Sequence, residues 1–460
     1  MLSPDEFSRT QKLLVDRDNL SLEEASAKFQ ALEVLLICGP EVKSSPTLQA
    51  AVLTAANLAN RIQPGCVIID ASDDVRSSSL FVPWPAATFG EALLQTAPQA
   101  RFGKTSSSRL SIIFGTRQEI ARGLQITFDG WVAAIGNVGK ISRLRENEKC
   151  VLTGVAAGAL GVSEIFMSMF NVSVEAGARV TGFSLWRPDL PFTDAAAVGP
   201  IVENLPHEAW CLGLGHLGQA YLWALSFLPF TKPEDVNIML QDIDRTVLAN
   251  IGTCALSQIS DIGKRKTRVV SEWLEKRGFS PATNDRVFDE NTKRNDGEPE
   301  LALCGFDGRG PRHLLESANF RAIVECGLGG RYDNFDSILI HTLPRQTISA
   351  RDYWSQTAAG GSEAGLNSLL KNNSAYQSHS GNCGVVQMEL ARRSVAAPFV
   401  GAIASSFVIA EVLRMAHGGE CFESVDLKLS KPSSIITYKS TKNYDEKLTR
   451  MDFRQGSKSA

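Results

Sequence analysis

The sequence predicts an α/β protein made of two similar halves in tandem, each a mainly parallel sheet flanked by helices. Three observations predict it. A strand–helix–strand alternation begins near residue 34, the same alternation recurs near residue 209, and each half later carries a long small-residue helix.

Residues 1–33 read as helical, with charges interleaved among Leu13, Leu14, Leu20, Leu22 and Leu32. Val34–Cys38 is an apolar run of strand length ending at Gly39, followed by an alanine-rich helical stretch, Leu48–Arg61, and a second strand, Cys66–Asp70. In the second half Ala209–Leu212 is strand-like and runs into a glycine turn. A helix extends from there to about Leu228, and Val236–Leu240 forms the next strand. Trp131–Gly136 and Ala322–Gly327 read as later strands. The helices Gly154–Phe166 and Gly401–Leu413 each carry a glutamate, Glu164 and Glu411, ten residues after their first glycine. These echoes predict a degenerate duplication: a first unit over 1–190, a linker over 191–204, a second unit over 205–424 with a crossover loop near 345–394, and terminal strands and tail over 425–460. The polar stretch 283–299 reads as a surface loop, and the tail after Tyr438 as fraying.

Composition is that of an ordinary globular protein, with 43% hydrophobic and 21% charged residues over 460 positions. A net charge of -3 gives no electrostatic reason to expect nucleic acid. Nine cysteines contain no CxxC pair, so structural zinc is not expected, and most lie in apolar runs as reduced core thiols do. No signal pattern or membrane span is expected, which makes the cytoplasm the expected location.

The chemistry concentrates in the second half. Gly213-x-Gly215-x-x-Gly218 follows a strand and opens a helix, so backbone can approach a phosphate closely at the helix N-terminus. Alone, the turn suits a dinucleotide or ATP. The next strand ends at Asp242 and Asp244, whose carboxylates can accept from ribose hydroxyls. Asn250, Lys266 and a strand-end Asp307, with Arg312 five residues later, have no use in hydride transfer. They suit attack at an α-phosphate, where a lysine and a metal offset developing charge and Asp307 can hold Mg²⁺.

The ordered strings GLGHLG, QDIDRTVLAN, DIGKRK, FDGRGPR, ECGLGG and VAAPFVGAIASSFVIAEVL resemble the ThiF/MoeB and ubiquitin-activating-enzyme superfamily over roughly 205–420. The resemblance implies two Rossmann-like adenylation folds packed as a single-chain pseudo-dimer, the first of them inactive. It implies that Gly213, Gly215 and Gly218 line the nucleotide and that Asp242 holds the ribose. Asn250 and Lys266 would act at the phosphates, and Asp307 would bind Mg²⁺. The first half has Cys38-Gly39-Pro40-Glu41 in place of a phosphate loop. Thr253 stands where the family carries a phosphate-facing arginine. Phe7–Gln11 resembles the segment from which family members send an arginine to the nucleotide, which makes Arg9 the candidate finger. Cys383, in a Gly/Ser-rich loop, is the candidate thioester nucleophile. His216 reads as a spacer, and Cys254 and Cys326 as core residues.

The implied activity is Mg-ATP-dependent adenylation of a ubiquitin-like protein ending in glycine, with acyl transfer to Cys383 and on to a conjugating enzyme. The single-chain layout is similar to that of bacterial ubiquitination-like operons, antiviral ones included. A homodimer stays open. Alternatives are a sulfur-carrier adenylyltransferase, a non-catalytic scaffold that binds nucleotide or a ubiquitin-fold protein, and a nicotinamide oxidoreductase.

Overall fold

The computed structural model describes residues 8–104, 111–116, 122–345, 348–356, 373, 376, 390–441 and 449–451. Its first sheet is built from β1 (Val34–Cys38), β2 (Val67–Asp70), β3 (Arg101–Phe102), β4 (Ser111–Phe114), β5 (Leu124–Asp129), β6 (Val132–Asn137) and β7 (Thr181–Ser184), in the order β3-β2-β1-β4-β5-β6-β7. The first five are parallel in that order; β6 and β7 add antiparallel.

After a short strand, β8 (Asn204–Pro206), the second sheet repeats the plan. It contains β9 (Glu208–Leu212), β10 (Asn237–Gln241), β11 (Ala282–Asn284), β12 (Leu301–Cys304), β13 (Ala322–Leu328), β14 (Ser337–Leu343), β15 (Phe422–Lys428) and β16 (Ile436–Lys439). The order β11-β10-β9-β12-β13-β14-β15-β16 again places five parallel strands before an antiparallel extension. Order 3-2-1-4-5 reverses at β1/β4 and at β9/β12, and that crevice is where doubly wound sheets bind ligands.

The helices begin with α1 (Lys12–Asp18), α2 (Leu22–Gln30) and α3 (Pro46–Ile62), then α4 (Asp73–Arg76), α5 (Phe89–Thr96) and α6 (Leu152–Met169). The second half contributes α7 (His216–Leu225), α8 (Leu248–Ile251), α9 (Lys266–Glu275), α10 (Arg309–Arg312), α11 (Ala350–Gln356) and α12 (Pro398–Ala416). Gly154 and Gly158 let α6 lie directly on Thr47 and Ala51 of α3. α12 packs on α6 and α7, with Phe399 against Phe166 (5.2 Å) and Phe407 against Phe183 (5.1 Å). One apolar core therefore spans both halves. By length and composition α6 and α12 could each cross a bilayer; 89% and 100% of their apolar windows are buried in this core.

The two halves also lock crosswise. Glu164 on α6 accepts from Arg179, whose Nη1 and Nη2 donate to Ser430 O (2.6 Å) and Leu429 O (2.9 Å) just beyond β15. Glu411 on α12 accepts from Arg414, which in turn donates to Leu185 O just beyond β7. The paired glutamates noticed in the sequence thus do the same work on each side. Each orients an arginine, half-buried Arg179 and buried Arg414, onto carbonyls of the opposite half, where a charge-assisted bond is stronger than a neutral one.

One expectation needs correction. The tail does not simply fray: β17 (Thr449–Met451) pairs antiparallel with β8, because the Asn204–Pro206 edge offers it a ladder. The strands of this region, β15 and β16, extend the second sheet.

Candidate active site

A cavity of about 530 Å³ opens where β9, β10 and β12 end. Gly213, Gly215, Asp242, Asp244, Asn250, Lys266, Asp307 and Arg9 all line it. Gly218 does not. A Cβ there would collide with the carbonyl of Gly213, so its role is to let α7 start tight under the turn, and the expectation that it lines the cavity is corrected.

The turn is held from below. Gly213 takes φ +80, a conformation glycine adopts without strain. Leu214 N–H donates to Asp242 Oδ2 (2.6 Å) and Asp244 N–H to Asp242 Oδ1 (2.7 Å), so Asp242 ties the turn to the end of β10. α7 starts at Gly215 with no side-chain cap, leaving its N-terminus to an outside anion.

Lys266, the first residue of α9, is 7% exposed. Its Nζ donates to Asp244 Oδ2 (2.7 Å) and stands 3.9 Å from Asp242 Oδ2. Burial works against its charge, but the two carboxylates outweigh burial and hold its pKa above the ordinary lysine value. Asn250 Oδ1 accepts from Val247 N–H (3.0 Å). Asp307 is exposed on the lining just beyond β12. A carboxylate beside phosphate oxygens is the hard donor set Mg²⁺ prefers, so the residues present fit that ion.

Arg9 enters from the chain's own N-terminus. Its Nε donates to Ser394 O (3.1 Å) and its Nη2 to Ser394 Oγ. Thr10 Oγ1 donates to Ala396 O (2.8 Å), pinning the segment where α12 is about to begin. Burial lowers the guanidinium pKa, opposed by Cys254 and Asp307. Thr253 is 2% exposed and its Oγ1 is buried without a partner, so it offers no charge to the cavity.

Several contributions were not visible in the sequence. Arg312 lines the cavity but is committed below it: it pairs with Glu325 (3.1 Å), donates to Phe306 O and to Cys326 O (3.0 Å), and Glu325 in turn bonds His341. This buried chain braces the backbone that carries Asp307. Arg61, on α3 of the first half, donates to Ile251 O (2.8 Å), Ser257 O (2.9 Å) and Ala255 O (2.6 Å). It holds the loop that follows Asn250 from behind. A run of apolar and polar residues gives no sign of which arginine will meet which carbonyl across 190 positions.

His216 lies on the lining under Gly401, and burial, with Arg9 adding, pushes its pKa down to about 3, so it stays neutral. The eight described cysteines are buried and form no disulfide among the described residues. Burial raises Cys254, takes Cys304 up to about 12, and raises Cys326 well above the ordinary thiol value. Cys383 lies outside the described residues.

Residues 33–185 match the BilD N-terminal domain and residues 205–419 the BilD C-terminal domain. The chain belongs to the BilD family. Among its relatives, the bacterial E1-like protein BilD of Collimonas sp. (strain OK412) is 32% identical over 421 residues, 91% of this chain and 90% of that protein. Two solved structures are remotely similar. PaaA has a TM-score of 0.34 at 15% identity, over 51% of this chain and 64% of its own. E. coli tRNA N6-threonylcarbamoyladenosine dehydratase, TcdA, has a TM-score of 0.29 at 13% identity, over 45% and 84%. By its BilD relative this chain is an E1-like protein.

Proposed function

We propose that the chain adenylates the C-terminal glycine of a ubiquitin-like protein. ATP seats its phosphates on the Gly213–Gly215 turn, and Asp242 receives the ribose. A carboxylate oxygen of the partner attacks the α-phosphorus; the bond to the bridging oxygen breaks and pyrophosphate leaves. Lys266 and Arg9 face the negative charge that builds during this step. Mg²⁺ held at Asp307 would neutralise phosphate charge and orient the leaving group. The observation that carries the reading is that Arg9, Lys266 and Asp307, from three distant stretches of sequence, line one cavity over the glycine turn.

The finer steps extend the same reading: a thioester at Cys383, transfer to a conjugating enzyme, and a place in a cytoplasmic bacterial conjugation pathway of the antiviral kind. ATP–pyrophosphate exchange tests the core claim, with small ubiquitin-fold proteins encoded beside this one as substrates. Exchange is expected with the wild type and is lost in Asp307→Ala. Its absence from the wild type with every such partner refutes the proposal. The buried Thr253 favours a second reading, a scaffold that binds nucleotide without chemistry. Calorimetry showing ATP binding with no exchange would support that instead.

A further inference from the structure

A larger cavity, about 810 Å³, lies at the junction of the halves. It shares one loop with the candidate active site: Asn250 faces the first cavity, and Ile251 and Ala255–Ser260 face this one. Trp84 enters from the first half, and Trp223 on α7, Trp273 on α9 and Arg277 just beyond α9 come from the second. The three indoles stand 5.4, 6.0 and 6.3 Å apart, two of the three pairs edge-on.

Arg277 sits in the corner between two perpendicular indoles, its guanidinium carbon 3.3 Å from the Trp273 ring centre and 4.1 Å from that of Trp84. Nη1 donates to Trp273 O (3.1 Å), while Nε is buried without an acceptor. Burial lowers its pKa to about 9. Lys276 beside it is exposed and has no carboxylate partner among the described residues. Among the described residues none that lines it is Asp, Glu or His, whereas Arg61, Lys276 and Arg277 are cations. Arg61 is spent on three carbonyls.

A largely desolvated cation without a counter-ion is costly, and contact with two indoles offsets only part of that. The missing element is a negative charge attached to something flat. We propose that this cavity is a binding site for a small planar aromatic anion. Its ring packs against the side of the Trp84, Trp223 and Trp273 cluster that lines the cavity, and its carboxylate or phosphate is received by Arg277 and Lys276. The volume is within the range of small-molecule pockets, about 300–1,000 Å³. Because Arg61 clamps the shared loop, an occupant here shifts the position of Asn250 and thereby ATP affinity. That consequence rests on the nucleotide reading; binding itself does not.

The test titrates the full chain with 2-naphthoate, read by calorimetry and by quenching of indole emission. Naphthalene-2-carboxamide and cyclohexanecarboxylate serve as the uncharged and non-aromatic comparisons. Saturable one-to-one binding is expected, at least about tenfold weaker for each comparison compound. Arg277→Met weakens it about tenfold, and Lys276→Ala, at an exposed position that folding does not need, about threefold. Saturating ATP alters the naphthoate affinity without abolishing it. No saturable binding at millimolar probe, equal binding of the carboxamide, unchanged affinity in both variants, or full competition by ATP would each overturn the site. Naphthoate binding with an unaltered ATP affinity overturns the coupling alone. If ATP fails to bind while naphthoate does, the nucleotide reading falls and this site stands.

Discussion

The turn after β1 and the turn after β9 occupy the same place in two sheets of the same order, yet one is filled and the other open. In the first half, Glu41 takes the position a phosphate would need. It accepts from Thr116 N–H (2.9 Å), from Thr116 Oγ1 and from Arg143 Nη1 (3.0 Å). The following helix, α3, is closed as well: Ser45 Oγ caps Leu48 N–H (3.0 Å), and Glu148 accepts from Thr47 N–H (3.2 Å) and from the Ser45 and Thr47 hydroxyls. In the second half the turn is glycine, α7 has no side-chain cap, and Lys266 lines the cavity over it. The first half has supplied its own anions in the shape of Glu41 and Glu148. A binding turn can be retired without losing the fold when carboxylates of the chain take over the helix N-terminus.

The difference can be broken experimentally. The largest effect is expected at Lys266: Lys266→Ala should lower ATP–pyrophosphate exchange by about 10²–10³-fold, whereas Glu41→Ala should leave exchange unchanged. Equal losses in both would show that the first turn is not retired. Next comes Arg61→Met. It deprives three buried carbonyls of a charged donor and should cost about 3 kcal/mol of stability, read as a lower Tm. Gly218→Ala forces α7 off the turn and should cost about 2 kcal/mol; an unshifted Tm would mean the helix starts less tightly than described.

The smallest effect is at Glu41. Burial would raise its pKa, but the hydrogen bonds from Thr116 and Arg143 win and hold it at about 2. A depressed carboxylate stabilises the fold above its ordinary pKa and loses that contribution as pH falls toward about 2. Its side chain is one-third exposed, so solvent screening leaves about 1 kcal/mol near neutrality. Glu41→Gln should therefore lower stability at neutral pH, and its deficit against wild type should vanish in acid.

Much of this was legible because parallel strands buried on both faces read as continuous apolar runs. Val34–Cys38, Val67–Asp70 and Leu301–Cys304 carry that signature, and the glycine turn marks where the cavity of the second half opens. β5 was not legible: Gln125, Thr127 and Asp129 alternate with apolar residues and resemble a surface segment, although the strand is buried throughout. The braces were also hidden. Glu325 sits inside an apolar strand, and only folding brings Arg312 and His341 to it. Arg9 was visible as a resemblance, but its anchorage on Ser394 depends on where α12 starts in space.

The crosswise pairing of Arg179 and Arg414 has a further consequence. Because the covalent chain joins both partners of the pseudo-dimer, each half meets the other at a fixed effective concentration that dilution cannot lower. Arg9, delivered to the candidate site from near the N-terminus, is then an intramolecular visitor. Specific activity per chain should stay constant down to nanomolar protein, where an enzyme assembled from separate subunits would begin to fall apart.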